Sequence, residues 1–289
     1  MAGKLLEVES LHVEFPGRGF RAKPHEVLHA VSLTIDHGEV LGLVGESGSG
    51  KTTIGRAILG LVKASGGQIR LQGENITHVG PRRRRELARD IQVVFQDPYS
   101  SLNPALTVGD ILSEPLVVQG STTRDARARV KALLDQVGLP ADAAERLPRE
   151  FSGGQRQRVA IARALAPQPK LIVCDEPVSA LDLSTQALVL KLLIDIQRET
   201  GVAFLFISHD LAVVRHISHR VAVIYQGEIV ETGPADVVTS RPEHSYSRRL
   251  LLAAPVADPI EQRRRREERK RLAEEGLLDY SSEKPAPVR

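Results

Sequence analysis

The chain is short of several things, and each shortage excludes a class of molecule. It carries one cysteine in 289 residues, Cys174, so no internal disulfide and no four-cysteine iron–sulfur or zinc site can form within it. Cys174 ends the apolar run Leu171-Ile172-Val173-Cys174, where it reads as a small buried hydrophobe. No stretch of about 18 or more uncharged apolar residues occurs, so no transmembrane helix is expected. The opening MAGKLLEVES has acids where a secretory signal would carry its apolar core, and a cytosolic chain is expected. Net charge is only +3, which makes no strong electrostatic case for nucleic acid, although a pI near 9.1 leaves room for an anionic partner.

What is present is enough apolar material for a core. A hydrophobic content of 42 % over this length fits one large domain, or a core domain with a subdomain. Leu6, Val8, Leu11, Val13 and Phe15 alternate with polar neighbours, the pattern breaks at PGRGFRAKP, and it resumes over residues 27–35, which predicts strands of an antiparallel sheet. A strand over Glu39 to Val44 follows, then a helix whose apolar face holds Ile54, Ala57, Ile58 and Leu61. Further strands are predicted at Gln68 to Gln72, Ile91 to Phe95, Leu171 to Cys174, Val202 to Ile207 and Val221 to Tyr225. Helices are predicted around Ile111, Leu112 and Leu116, over Ala126 to Val137, at Gln155 to Ala166 and at Ser184 to Glu199. This alternation implies a mostly parallel sheet with right-handed crossovers, interrupted by a helical insertion at about 97–150.

The sharpest motif is GESGSGKT, Gly45 to Thr52, a complete G-x-x-x-x-G-K-[ST] pattern between a predicted strand and a predicted helix. Gly45, Gly48 and Gly50 let the backbone curl so that its N–H groups converge on an anion, and the helix start near Lys51 adds its positive end. Lys51 would bridge the outer phosphates of a nucleotide, and the Thr52 hydroxyl would ligate Mg²⁺. A plain glycine-rich turn is the competing reading. Asp175 and Glu176 stand at the end of a buried strand, where ligands of parallel α/β sheets gather. There Asp175 would hold Mg²⁺ and Glu176 would polarise the attacking water; a surface turn before Pro177 is the alternative. Gln96 and His209 also follow strands, Gln96 placed to reach Mg²⁺ and the water, His209 to donate to the γ-phosphate. Taken alone, each would be an ordinary strand-end polar residue.

A second glycine-rich helix start, Phe151-Ser152-Gly153-Gly154-Gln155, is one cradle more than a single nucleotide needs. A head-to-tail dimer resolves the surplus, with Ser152 and Gly154 of one subunit clamping the γ-phosphate held by the other. Simple capping by Ser152 remains open, but it leaves the Gly-Gly pair unexplained.

These residues together resemble the ATP-binding subunits of ABC transporters. GESGSGKT is similar to the Walker A motif, FSGGQ to the ABC signature, LIVCDE to the Walker B motif, Ser179 to Asp182 (SALD) to the D-loop and Ile207 to Asp210 (ISHD) to the H-loop. VFQDPYSSLNP, EFSGGQRQR, LFISHDLAVV and RPEHSYSRRLLLAAP narrow the resemblance to the oligopeptide/dipeptide importer branch, which includes nickel importers, over about residues 5–256. The resemblance implies an α/β fold, a P-loop NTPase core with an antiparallel β-subdomain and a helical subdomain. It places residues 1–256 in a nucleotide-binding domain, with the helical part at about 97–150, and leaves 257–289 as a charged C-terminal extension. The implied nucleotide contacts are Gly45, Glu46, Ser47, Gly48, Ser49, Gly50, Lys51, Thr52 and Thr53, with Ser152, Gly153, Gly154, Gln155 and Asp182; Thr52, Gln96 and Asp175 would hold the metal. Phe15 is the candidate for stacking on adenine, ahead of Phe20. ATP and Mg²⁺ are the implied ligands.

The implied function is ATP hydrolysis driving import of oligopeptides or dipeptides; nickel or another small solute is the alternative. Two permease subunits would supply the pathway, contacted near Gln96 to Pro115, with a second ATP-binding subunit, identical or paralogous, and an extracytoplasmic solute-binding protein. The chain would sit peripherally on the cytoplasmic face of the inner membrane. Some relatives carry a C-terminal four-cysteine iron–sulfur site, and this chain departs from them. A soluble ABC ATPase acting on DNA or ribosomes would need a long coiled coil or two nucleotide domains per chain, and neither is visible.

Two charge runs remain. Arg82 to Arg85 reads as a phosphate-binding patch or as a solvated helix start before Glu86. Glu261 to Glu275 mixes seven basic with five acidic residues; an exposed helix followed by a disordered DYSSEKPAPVR tail is expected, with a lipid-headgroup contact as the other reading.

Overall fold

The computed structural model describes residues 3–17, 24–97 and 101–253, with 263, 264, 267 and 271. Phe20, most of the Glu261 to Glu275 run and the DYSSEKPAPVR tail lie outside the described residues; Arg263, Arg264, Glu267 and Arg271 are helical and exposed. Two compact units divide the chain, one built from residues 1–78 and 206–289, the other from 79–205.

The first unit opens with an antiparallel sheet in which β1 (Lys4–Phe15) lies between β2 (His25–Asp36) and β4 (Gly66–Leu71), and β4 turns back into the short β5 (Glu74–Asn75). Leu6 and Val8, then Leu11 and Val13, are all buried, although the spacing slips by one between the pairs. The slip is a bulge. Ser10 takes φ +45°, the pairing register shifts between Val8 and Leu11, and the inward face is recovered beyond it. Ala30, φ +51°, marks a second slip, in β2 between Leu28 and Val31, which pair with Val13 and Leu11.

The unit's other strands are parallel in part. β3 (Val40–Val44) is buried at every position and pairs in parallel with β9 (Arg220–Tyr225), whose outer neighbour β10 (Glu228–Pro234) is antiparallel. A continuous apolar run of this kind belongs to a strand covered on both faces. Next comes helix α1 (Lys51–Ile58), which buries Ile54, Ala57 and Ile58. Leu61 departs from expectation: it lies beyond the helix and is 63 % exposed. Leu59 caps the helix, Gly60 turns at φ +71°, and the N–H groups of Gly60 and Leu61 return to the carbonyls of Ala57 and Arg56, a Schellman ending that throws Leu61 out of the helical face.

The second unit contains α2 (Pro81–Asp90), β6 (Ile91–Val94), α3 (Val108–Val118), α4 (Thr123–Gln136), α5 (Gly153–Leu165), β7 (Leu171–Asp175), α6 (Leu183–Thr200) and the first half of β8 (Ala203–Ser208). β6 and β7 run parallel, and β8 is the next strand beside β7. The expected helical insertion is present. Thr107 and Thr122 cap α3 and α4 by accepting from the amides of Asp110 and Asp125. Ile111, Leu112, Leu116, Val130, Leu133 and Leu134 are buried on those two helices, which pack against one another. In α2, Arg82 and Arg83 pair with Glu86 at 3.6 and 3.0 Å, and Leu87 is the buried residue. The arginines line an open cavity of about 910 Å³ together with Val118 and Gln119, where α3 ends, and Pro167, just past α5. The run starts a helix, as expected, with Arg82 and Arg85 exposed and Arg84 half-buried.

Among the described residues, strands β5 and β10 and helices α7 (Leu211–Ile217), α8 (Ala235–Val238) and α9 (Ser245–Ala253) escaped the sequence patterns. All belong to the first unit.

Candidate functional site

In the first unit, residues 45–50 leave the end of β3 and turn into α1. A Cβ on Gly45 would stand 2.3 Å from the Ile224 carbonyl oxygen, so the loop rests on the end of β9 with no room for a side chain. Gly50 takes φ +105° as the N-cap of α1. A non-glycine residue there would be strained. Among the described residues no side chain caps that helix, and no acid occupies its first turn, so its start offers N–H groups toward an anion. Lys51 is only 5 % exposed, and its ammonium donates to the carbonyls of Gly45 at 2.7 Å and Glu46 at 2.8 Å. The Ser49 hydroxyl is buried without a hydrogen-bond partner among the described residues. A backbone cradle, a buried cation and a waiting hydroxyl fit a polyphosphate.

Among the described residues, two side chains outside the expected set hydrogen-bond to this loop. The Glu46 N–H donates to the Tyr246 hydroxyl at 2.9 Å, and Arg249 donates to the Glu46 carboxylate at 2.9 Å. Both come from α9, about 200 positions away, within the RPEHSYSRRLLLAAP stretch that marks the branch but gives no sign of a phosphate loop. His209 follows β8 and is exposed, while its neighbour Asp210 caps α7 by accepting from the amides of Ala212 and Val213. Phe15 ends β1 opposite His25, its ring 39 % exposed.

In the second unit, β6 and β7 finish in register, Val94 beside Cys174, so Gln96 and the Asp175-Glu176 pair emerge from adjacent strand ends. Gln96 is exposed and both carboxylates are half-buried. Glu176 has φ +49°, a left-handed backbone that a non-glycine residue adopts at some cost, held here by Ser179, whose N–H and hydroxyl both donate to the Glu176 carbonyl. Burial, then the Asp175 charge, pushes the Cys174 thiol well up, so the expected inert buried hydrophobe is what is found.

The FSGGQ segment meets the first turn of α6, the helix that follows SALD. Ser152 caps α5, its hydroxyl accepting from the Gln155 N–H at 3.3 Å while the Gln155 side chain accepts from the Ser152 N–H at 3.0 Å. A Cβ on Gly154 would stand 2.2 Å from Cγ2 of Thr185, so the starts of α5 and α6 press together at this glycine. Close packing therefore gives Gly154 a reason that the anion-site argument overlooked. Gly153 is half-buried beside it. Asp182 caps α6, and hydrogen bonds from Ser184 and then Thr185 hold its carboxyl well below the usual carboxylate range.

The family model described as ABC transporter matches residues 28–179. The chain belongs to the ABC transporter family. Its described strands and helices have the mixed α/β P-loop fold of ATP-binding cassettes expected from the sequence. It is 53 % identical over 267 residues to the glutathione import ATP-binding protein GsiA of Escherichia coli K12, and equally so to that of Shigella boydii. Each match covers 91 % of this chain but 43 % of the relative, so the chain spans less than half the length of those proteins. Among solved structures it is similar to CbiO1 from Clostridium perfringens, part of the ABC transporter complex CbiONQ (TM-score 0.73, 28 % identity, 83 % of this chain and 92 % of that one). It is also similar to a dimeric ATP-binding cassette in a post-hydrolysis state with ADP and Pi (TM-score 0.71, 29 % identity, 80 % and 98 %). This ABC cassette has no described helix long and apolar enough to cross a membrane.

Proposed function

We propose that this cassette is the ATP-hydrolysing subunit of an importer for peptides or a similar small solute, working peripherally on the cytoplasmic face of the inner membrane with two permease subunits. The observation that carries the reading is Lys51, a buried cation folded over a glycine-cradled loop at an uncapped helix start. Relatives named for glutathione import, itself the transport of a short peptide, support the solute class. The dimeric cassette supports a second ATP-binding subunit, and an extracytoplasmic binding protein would deliver the solute.

In this reading residues 45–53 hold the phosphates, Glu176 takes the proton of the attacking water, and His209 donates to the γ-phosphate. Thr52, Gln96 and Asp175 are hard oxygen donors that suit Mg²⁺, which when bound neutralises phosphate charge. Ser152 keeps its hydroxyl proton for a phosphate while its oxygen caps α5, so the cap and a role across a dimer are compatible. Phe15 is a surface ring that adenine could cover.

Two substitutions test the assignment. Lys51→Ala should abolish measurable MgATP binding, whereas Glu176→Gln, assembled with its partners, should bind MgATP and hydrolyse it about 10²- to 10⁴-fold more slowly. Wild-type affinity in the first variant would remove the phosphate loop from the site, and near-normal turnover in the second would move the base elsewhere.

A further inference from the structure

The peptide unit joining Gly45 to Glu46 is gripped on both sides. Its carbonyl accepts from the Lys51 ammonium at 2.7 Å, and its N–H donates to the Tyr246 hydroxyl at 2.9 Å. A peptide polarised at its oxygen by a cation is a stronger donor at its nitrogen, so the two bonds reinforce one another. Tyr246 is fully buried, and its ring lies against Tyr225 of β9 with centroids 4.4 Å apart. That ring is not free to wander. The helix carrying it is tied down at its start, where the amides of Glu243 and His244 donate to the Glu231 carboxylate on β10, and the Tyr246 amide donates to His244 Nδ1. Arg249, one turn further along α9, reaches the Glu46 carboxylate from the exposed side.

We propose that Tyr246 is a positioning residue for the phosphate loop, and that α9 and nucleotide loading are coupled through the Gly45-Glu46 peptide. The coupling rests on the nucleotide-binding reading of that loop. A nucleotide that draws Lys51 toward its phosphates changes the charge on the Gly45 carbonyl and hence the bond to Tyr246. Because equilibrium coupling is reciprocal, the seating of α9 sets nucleotide affinity by the same factor with which nucleotide sets the seating of α9. Arg249 adds little, since an exposed ion pair is worth a fraction of a buried hydrogen bond.

The test uses the full chain and MgATP. Tyr246→Phe keeps the packed ring and deletes one hydroxyl, so the melting temperature without nucleotide should fall by only about 2–4 °C while the Kd for MgATP rises about 3- to 10-fold. Arg249→Gln should change Kd by less than about 2-fold. In the unmodified chain, hydrogen exchange at the α9 amides should slow when MgATP is added. Unchanged affinity in Tyr246→Phe, or exchange in α9 indifferent to nucleotide, would overturn the coupling. A wild-type chain that binds no MgATP would instead overturn the proposed function, and the coupling with it.

Discussion

The two glycine-rich helix starts, at α1 and at α5, are similar in composition and opposite in construction. At α1 the backbone turns through Gly50 at φ +105° and no side chain closes the helix end. At α5 Ser152 and Gln155 close it reciprocally, and Gly154 is small because α6 presses on it. One glycine supplies a backbone angle; the other supplies space. A helix end without a cap is built to take an anion from outside, while a capped one meets its own needs first and has a hydroxyl proton left to offer.

The largest effect should come from breaking the first start. Gly50→Ala forces a left-handed backbone on a residue with a side chain, and its Cβ would meet Leu28 at 2.6 Å. The cost should be about 1–3 kcal/mol, taken mainly from MgATP affinity in equilibrium titration. Affinity equal to wild type would show that the loop does not need this turn.

Gly154→Ala should behave differently. The clash with Thr185 costs about 1–3 kcal/mol, partly offset by the better helix propensity of alanine, and the melting temperature should drop while MgATP binding by the isolated chain stays put. Thr185→Ser removes the clashing methyl and retains the hydroxyl that donates to Asp182, so the double variant should recover most of the loss. A double variant as unstable as Gly154→Ala alone would show that the glycine serves something other than this contact.

Ser152→Ala should cost about 1 kcal/mol in thermal unfolding, the usual value of a lost cap. No change would mean that Gln155 alone holds the helix end.

The smallest effect is one of pH. Asp182 has its carboxyl held below the usual range, so its cap on α6 is present above the ordinary carboxylate pKa of about 3.9 and is lost only as pH falls through the lower folded value. The Thr185 amide resonance should therefore stay constant from pH 7 to about 4. Titration of that resonance between pH 4 and 5 would show that the cap does not form.

Much of the molecule was legible because its signals are local. Alternation in residues 6–15, the unbroken apolar run before Gly45 and the Thr-capped helices of the insertion each carry their structure in a few adjacent residues. Leu61 was misplaced because helical spacing continues on paper past the point where Gly60 turns the chain. The short strand β10 and the helices α7 to α9 went unread because they are brief and take much of their support from neighbours. Tyr246 is the sharpest case: a tyrosine in RPEHSYSRR has nothing beside it to suggest a phosphate loop 200 positions earlier.

By itself the sequence determined the family, the order of the elements and the chemistry of the nucleotide loop, because glycine, lysine and buried strands impose their geometry over a handful of residues. Tertiary structure alone decided why Gly154 is glycine, that the FSGGQ segment packs on the first turn of α6, and that α9 reaches Glu46. Those facts depend on which surfaces meet, and contact between distant segments is set by the packing of whole elements rather than by any pattern a short stretch can carry.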